Sequence, residues 1–344
     1  MHYCGLDVSR KSTHVYIEDA QGRRVTRGIV ATTPTGLAQA VERYAARGVR
    51  VAIEAGNQTA WIVDLLRELG AKVHVVHPLK VKLIAESKKK TDRIDAQLLA
   101  HLLRIGRLPE PVHVPSHRSR ELRGLLVARR QLVQMRTKLV NVVRGLARQQ
   151  RIELRPRALR TQRGWGQLTA ADLTPALREV VAAYEATVQT VGTALGALDR
   201  QLAQRARRDP RVARLETMPG VGPVCAQTLV AAVDTIDRFA TAKKLVAYAG
   251  LAPSVRASGE RVQYGRITKQ GRSEIRGVWV QAAHAALAVK GAAAAPLQRW
   301  WGRVARRRGK KTAVVALARK LLTIAFHLLQ DGTTYDARRL RNAA

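Results

Sequence analysis

The chain has 344 residues, with 61 lysines and arginines against 25 aspartates and glutamates, so its formal net charge is +36. Such an excess repels itself unless an acidic partner neutralises it, and nucleic acid is the partner we expect. The two cysteines, Cys4 and Cys225, argue against a disulfide framework and a cysteine-based zinc site. No apolar run approaches the roughly 20 residues of a membrane-spanning helix, and Asp7 interrupts any signal peptide. We therefore expect a soluble, cytoplasmic protein with no membrane partner.

Residues 1–105 have the pattern of a mixed α/β domain. Strands are predicted at 3–8, 13–18, 24–30, 50–53 and 72–76, and helices near 35–47, 58–69, 78–87 and 92–104. Three strands in a meander, followed by alternating helices and strands, are typical of the ribonuclease H-like fold. In that fold the first and fourth strands lie side by side, so residues at their ends meet.

Four acidic residues of this region are candidate metal ligands. Asp7 and Glu54 each end a predicted strand, and Asp92 and Asp95 lie three residues apart, on one face of a predicted helix. Converging carboxylates repel one another unless a hard cation such as Mg²⁺ lies between them. The alternative for Asp92 is that it only begins a helix and favours the helix dipole. Three lysines directly before it suit a loop that faces phosphate: Lys88, Lys89 and Lys90.

Residues 111–212 are predicted to be a long basic helical, coiled-coil-like region. Between Arg118 and Arg163 there are 14 basic and two acidic residues, and the apolar residues recur at helical spacing. A second helix is predicted at 174–208, with an irregular linker at 151–174 that would let the two pair as an antiparallel hairpin. The density of arginine favours a helix that contacts nucleic acid, a partner subunit, or both, over one that is merely solvated.

Residues 213–344 are predicted to form a helical C-terminal domain. Pro219–Pro223 precedes an apolar helix, which is typical of a helix-hairpin-helix motif whose glycines, Gly220 and Gly222, approach a DNA phosphate. A polar loop is predicted at 254–265, a helix at 272–290, and a last helix at about 312–330, after a basic cluster at 303–311.

Several short motifs, in this order, resemble the DEDD transposases, which are insertion-sequence recombinases with a RuvC-like domain. The motifs are Gly5-Leu6-Asp7-Val8-Ser9, Ile53-Glu54-Ala55, Lys90-Thr91-Asp92-Arg93-Ile94-Asp95-Ala96, Pro219-Gly220-Val221-Gly222-Pro223, Ala247-Tyr248-Ala249-Gly250-Leu251-Ala252-Pro253, Ser258-Gly259 and Gly265-Arg266-Ile267-Thr268-Lys269-Gln270-Gly271. The resemblance covers nearly the whole chain. It implies site-specific recombination of donor and target DNA, guided by a structured noncoding RNA from the insertion element.

The resemblance also implies roles for single residues. Asp7, Glu54, Asp92 and Asp95 would bind Mg²⁺, and Ser258 would attack DNA to form a covalent intermediate, with Ser254 as its competitor in the same loop. Four basic residues would neutralise the phosphate or position the DNA: Arg256, Arg266, Lys269 and Arg272. If the carboxylates and Ser258 form one site, the chain must fold back or use another subunit, and the long helices favour a homo-oligomer, a dimer or tetramer.

Two other functions fit the composition. A RuvC-like endonuclease would hydrolyse DNA with the four carboxylates and form no covalent intermediate. A non-catalytic scaffold would bind nucleic acid with a steep salt dependence and be indifferent to Mg²⁺.

Overall fold

The computed structural model describes residues 1–45, 48–82, 92–258 and 261–340. For residues 82, 92–94, 257–258, 261–262 and 340 it describes the backbone alone. The chain forms two compact units, Met1–Pro115 and Ser116–Ala344.

The first unit is built on a five-stranded mixed sheet. Its strands are β1 (His2–Val8), β2 (Ser12–Glu18), β3 (Arg24–Ala31), β4 (Val49–Glu54) and β5 (Lys72–Val76), in the spatial order β3-β2-β1-β4-β5. β1, β2 and β3 form an antiparallel meander, whereas β4 lies parallel to both β1 and β5. The predicted strands and the pairing of the first strand with the fourth are confirmed.

Helices cover both faces of this sheet. They are α1 (Pro34–Ala45), α2 (Thr59–Glu68), α3 (Pro78–Lys82) and α4 (Asp92–Arg104). On one face, α1 and α2 bury Leu37 and Ile62 against Leu6 and Ile53. α4 lies on the opposite face, where it also contacts β2, and an ion pair of 2.7 Å between Arg104 Nε and Glu18 Oε1 joins these two elements. The carboxylate of Glu18 is only 3% exposed, so this contact fixes the C-terminal end of α4 on the sheet.

The second unit begins with two long helices joined by a short one. α5 (His117–Gln149) and α7 (Pro175–Arg207) have 33 residues each and pack together, and α6 (Gln162–Thr169) lies between them in sequence. Ion pairs join Arg129 to Asp199 and Arg205 to Glu121, so the two helices run antiparallel, as predicted. The linker prediction is partly wrong, because Trp165 and Leu168 are buried and make residues 162–169 helical.

The remaining helices surround an apolar core. They are α8 (Pro210–Glu216), α9 (Pro223–Val233), α10 (Ala242–Tyr248), α11 (Ser273–Ala288), α12 (Ala295–Arg308) and α13 (Lys310–Asp331). The fully buried Leu229, Trp279 and Leu321 place α9, α11 and α13 in the same core. α5 contacts α9 as well as α7, so it belongs to the same unit as this core. The division into separate domains at 111–212 and 213–344 stays a prediction.

Two expectations for this unit are wrong. The predicted polar loop at 254–265 is an antiparallel hairpin of β6 (Pro253–Ser258) and β7 (Arg261–Ile267). The expectation that no apolar run approaches the length of a membrane-spanning helix is also wrong. The segment Lys310–Asp331 is long and apolar enough, by length and composition, to cross a membrane. Its Leu317, Leu321 and Leu322 have no exposed surface, because they pack in the core, so we interpret α13 as a core helix.

Candidate active site and nucleic-acid surface

Asp7 and Glu54 lie at the carboxyl ends of two adjacent parallel strands. In the register of β1 and β4, Leu6 pairs with Ile53, and Asp7 and Glu54 are the next residues on each strand. Both carboxylates are half-buried. The parallel pairing therefore brings the ends of the two strands together, as the sequence predicted for these two residues.

Both side chains are on the sheet face that α4 covers. Gly5 pairs with Ala52 across the two strands. A Cβ atom at Gly5 would overlap the Ala96 carbonyl oxygen of α4, and Ala52 packs against Leu99 and Leu103 of the same helix. Side chains alternate along a strand, so the residues two positions after Gly5 and Ala52 point to this face as well.

The other two predicted ligands are on α4 itself. The helix begins at Asp92, and the half-buried Asp95 immediately precedes Ala96, the residue that lies over Gly5. The side chain of Asp92 is not described. Among the side chains that are described, no three His, Cys, Asp or Glu residues come close enough together to hold a metal ion. The structure thus brings two of the four carboxylates to adjacent strand ends and puts the other two on the helix that covers that face.

The close approach of α4 to β1 depends on Gly5. We predict that Gly5→Ala lowers the free energy of unfolding by about 1–3 kcal/mol, because its Cβ would overlap the Ala96 carbonyl oxygen and lie 2.7 Å from the Ala100 nitrogen. The matched control is Gly28→Ala on β3, where a Cβ would meet nothing within 4 Å. Urea unfolding of the full chain measures both, and equal stability of the two variants would contradict the packing described here.

Ser258 ends the first strand of the β6–β7 hairpin, with its Cα paired to that of Arg261. Its side chain and residues 259–260 lie outside the described part of the chain. The competing Ser254 is half-buried, and its Oγ lies where a Cβ at Gly265 would be, beside a bulge in the hairpin. Ser254 therefore packs against Gly265, and a side chain at that position would require the Ser254 hydroxyl to move.

The predicted helix-hairpin-helix glycines differ in their surroundings. The turn between α8 and α9 holds Gly220 at a φ of 81°, and a Cβ there would overlap the Ala282 carbonyl oxygen and the Ala286 nitrogen of α11. Close packing against α11 thus accounts for Gly220. Gly222 is exposed, directly before Pro223 at the start of α9. The predicted phosphate contact stays a prediction for both glycines.

Three of the basic residues predicted to contact DNA are exposed, and a fourth is hydrogen-bonded within the protein. Arg256 and Arg266 on the hairpin and Lys269 after it are exposed. Arg272 instead donates hydrogen bonds to the Tyr248 hydroxyl (3.1 Å) and to Glu274 Oε1 (3.0 Å), so its guanidinium fixes the start of α11. Lys88, Lys89 and Lys90 lie outside the described residues.

The sequence prediction missed an arginine–tyrosine cluster beside this hairpin. Tyr248 lies between Arg272 and Arg238, whose guanidinium carbon is 4.9 Å from its ring centroid. Burial raises the pKa of the Tyr248 hydroxyl, but the two arginines outweigh this effect and the net pKa is below its usual value. Tyr248 belongs to one of the transposase-like motifs, but nothing in the sequence pairs it with Arg238.

Comparisons with known proteins identify both parts of the chain. Residues 4–151 match the DEDD transposase model of IS110, and residues 212–298 match a model described as "Transposase IS116/IS110/IS902 family". Together the two matches cover more than half of the chain.

Similar proteins have corresponding names. A "Probable family 20 transposase" of Pseudomonas aeruginosa is 28% identical over 83% of this chain and 85% of its own length. The "Transposase for insertion sequence element IS1111A" of Coxiella burnetii is 28% identical over 78% of this chain and 74% of its own. An IS110 protein of 43.6 kDa from Streptomyces coelicolor is 24% identical over 98% and 96%. The chain therefore belongs to the IS110 family of DEDD transposases and is a transposase enzyme.

Proposed function

We propose that this transposase is a site-specific recombinase of an insertion sequence, which cuts and joins donor and target DNA through a covalent serine–DNA intermediate. In this proposal Asp7, Glu54, Asp92 and Asp95 bind Mg²⁺ and Ser258 is the nucleophile. The observation that supports it most is the parallel register of β1 and β4, which sets Asp7 beside Glu54. Both lie on the sheet face covered by α4, the helix that carries Asp92 and Asp95.

The chemistry of these four residues suits Mg²⁺. All four offer carboxylate oxygens, which are the ligands that this hard cation prefers. When bound, the ion would stabilise the negative charge that develops on the scissile phosphate. Asp7 and Glu54 are on paired strands, so their backbone positions are fixed before DNA arrives, and little reorganisation accompanies the reaction.

Ser258 would perform the covalent step. Its Oγ attacks the scissile phosphorus and loses its proton, a phosphoserine–DNA bond forms, and the displaced deoxyribose oxygen leaves as a protonated hydroxyl. A hydroxyl from the second DNA strand then attacks the phosphoserine, which joins the strands and releases Ser258. Each step exchanges one phosphodiester for another, so no external energy source is needed.

A serine hydroxyl needs an activating group. The four carboxylates belong to Met1–Pro115, and Ser258 belongs to Ser116–Ala344. The two 33-residue helices α5 and α7 favour assembly of several copies, and we propose that the active enzyme is a homo-oligomer, a dimer or tetramer, in which the carboxylates of one copy serve the serine of another.

The charge of the chain supports binding to nucleic acid. Its net charge is +36, and we propose that a structured noncoding RNA binds the protein and pairs with donor and target DNA. Near the hairpin, the exposed Arg256, Arg266 and Lys269 would contact the DNA phosphates. We expect this reaction to take place in the cytoplasm.

A recombination assay tests the proposal. The purified chain, the noncoding RNA flanking its element, and donor and target plasmids are incubated with Mg²⁺, and new donor–target junctions are amplified and sequenced. Junctions that require both the RNA and Mg²⁺ are the expected result. Broken DNA without junctions would indicate the metal-dependent endonuclease, and binding without either product would indicate the scaffold.

A further inference from the structure

A cavity of about 500 Å³ lies between α5, α7 and the segment that connects them. Neither Ser258 nor any of the four predicted carboxylates is among its lining residues. No acidic residue is among its described lining. Four arginines and a tryptophan line it: Arg136, Arg144, Arg157, Arg160 and Trp165.

The four arginines of this cavity differ from others on the same helices. Arg129 and Arg205 pair with acids across the α5–α7 contact. Within the described residues, no such pair involves any of the four arginines that line the cavity. The Nε of Arg144 is buried and has no hydrogen-bond partner among them. A buried donor without an acceptor is costly, and four neighbouring guanidinium groups repel one another, so an anion in the cavity would relieve both effects.

The wall opposite the long helices is rigid. Trp165 is buried and donates a hydrogen bond of 3.1 Å to the Leu159 carbonyl oxygen, and Gly164 packs directly against Ala158. Arg157 has a φ of 68° and a ψ of 8°, a left-handed conformation that is unfavourable for any residue other than glycine, asparagine or aspartate. The fold thus holds an arginine at a position where glycine would be easier, and such strain is found at functional sites.

We propose that this cavity binds a phosphate and the adjoining nucleoside of a nucleic-acid strand. Guanidinium groups bind phosphate oxygens in pairs of hydrogen bonds. Asn141 and Gln162 line the same cavity, and their side-chain amides can bond to sugar or base, whereas the Gln189 amide donates to Glu185 Oε1 (3.1 Å). This inference rests on the proposed function only in that the protein binds nucleic acid, because it needs no Mg²⁺, no serine chemistry and no oligomer. RNA and DNA share the phosphodiester, and the experiment distinguishes them.

The test is equilibrium binding of fluorescein-labelled single-stranded RNA, or DNA of the same sequence, to the full chain in EDTA over a range of salt concentrations. We expect Arg144→Gln and Arg160→Gln each to weaken binding about 5–10-fold and to reduce the slope of log K against log salt by about 0.7. The matched control is Arg163→Gln on α6, which removes the same charge from an exposed residue outside the cavity and should change binding less than about twofold.

A further variant separates binding from folding. Arg157→Gly removes a guanidinium but fits the left-handed backbone, so its melting temperature should equal or exceed that of the wild type while its binding weakens about 5–10-fold. Weaker binding of RNA alone, or of DNA alone, would identify which kind of nucleic acid the cavity binds. Equal binding by the cavity variants and Arg163→Gln would overturn the inference. The assay contains no Mg²⁺ and reads no recombination, so that result would leave the proposed function standing.

Discussion

Replacing Asp7 by Asn is expected to slow DNA cleavage by at least about 10²-fold. Asn has nearly the same shape as Asp but no charge, so it cannot balance the cation that the adjacent strand ends of β1 and β4 would hold. Because the shape of the side chain is kept, the variant should still fold. Single-turnover cleavage of labelled DNA with excess protein and Mg²⁺ measures the effect.

The matched control for Asp7→Asn is Glu42→Gln. Glu42 is an exposed acid on α1, the helix that covers the opposite face of the sheet, and its loss changes the net charge by the same amount. We expect its cleavage rate to stay within about twofold of the wild type, as is usual for an exposed residue far from the reacting atoms. A comparable loss of cleavage rate in both variants would show that removing any acidic charge slows the reaction. That result would contradict a metal site at Asp7.

Replacing Ser258 by Ala is expected to abolish the covalent protein–DNA adduct, with a loss on the order of 10³-fold or more. The variant lacks the oxygen that would bond to phosphorus, while its affinity for DNA should change little. A denaturing gel that separates protein-linked DNA from free DNA measures the adduct.

Ser254→Ala is the control for the nucleophile. Its Oγ packs against Gly265 in the same hairpin, so the substitution removes a hydroxyl of the same kind from a half-buried position. Adduct formation should persist in this variant. An adduct that survives in Ser258→Ala and disappears in Ser254→Ala would reassign the nucleophile to Ser254.

The sheet of the first unit could be predicted because its strands are short apolar runs that end in charged or polar residues. Cys4 and Leu6 alternate with residues on the other face, and Val51 and Ile53 form the next buried strand. Periodicity of two indicated the strands, and the pairing of the first strand with the fourth followed from the ribonuclease H-like order of the elements. The contact between Gly5 and Ala96 could not be inferred, since the sequence does not show which helix residue lies over a glycine.

The hairpin of β6 and β7 was missed for a different reason. It is a two-stranded sheet on which Val255 and Tyr264 are exposed, so apolar and polar residues do not separate into a buried and a solvated face. A polar segment without a hydrophobic face is typical of a loop, but here backbone pairing makes the two segments strands. The turn helix α6 was missed similarly, because two glycines, Gly164 and Gly166, suggested a break and the buried Trp165 was not recognised as an anchor.

The sequence shows the four arginines of the cavity at the α5–α7 connection, but it does not show that they lie close together in the fold. Arg136 and Arg144 are on α5, whereas Arg157 and Arg160 are on the connecting segment. Only the return of that segment, fixed by the buried Trp165, brings them to one cavity. Composition therefore predicted a nucleic-acid-binding protein, but the position of this cavity required the fold.

The most direct test of the account is to identify the residue that becomes linked to DNA. The chain is incubated with its flanking noncoding RNA, donor and target DNA and Mg²⁺, then digested with nuclease and trypsin for mass spectrometry. Trypsin cleaves after Lys244, Arg256 and Arg261, so Ser258 and Ser254 fall on separate peptides, 257–261 and 245–256. We expect a nucleotide remnant on the peptide 257–261, present with Mg²⁺ and absent with EDTA. Cleaved DNA with no remnant on either peptide would contradict it.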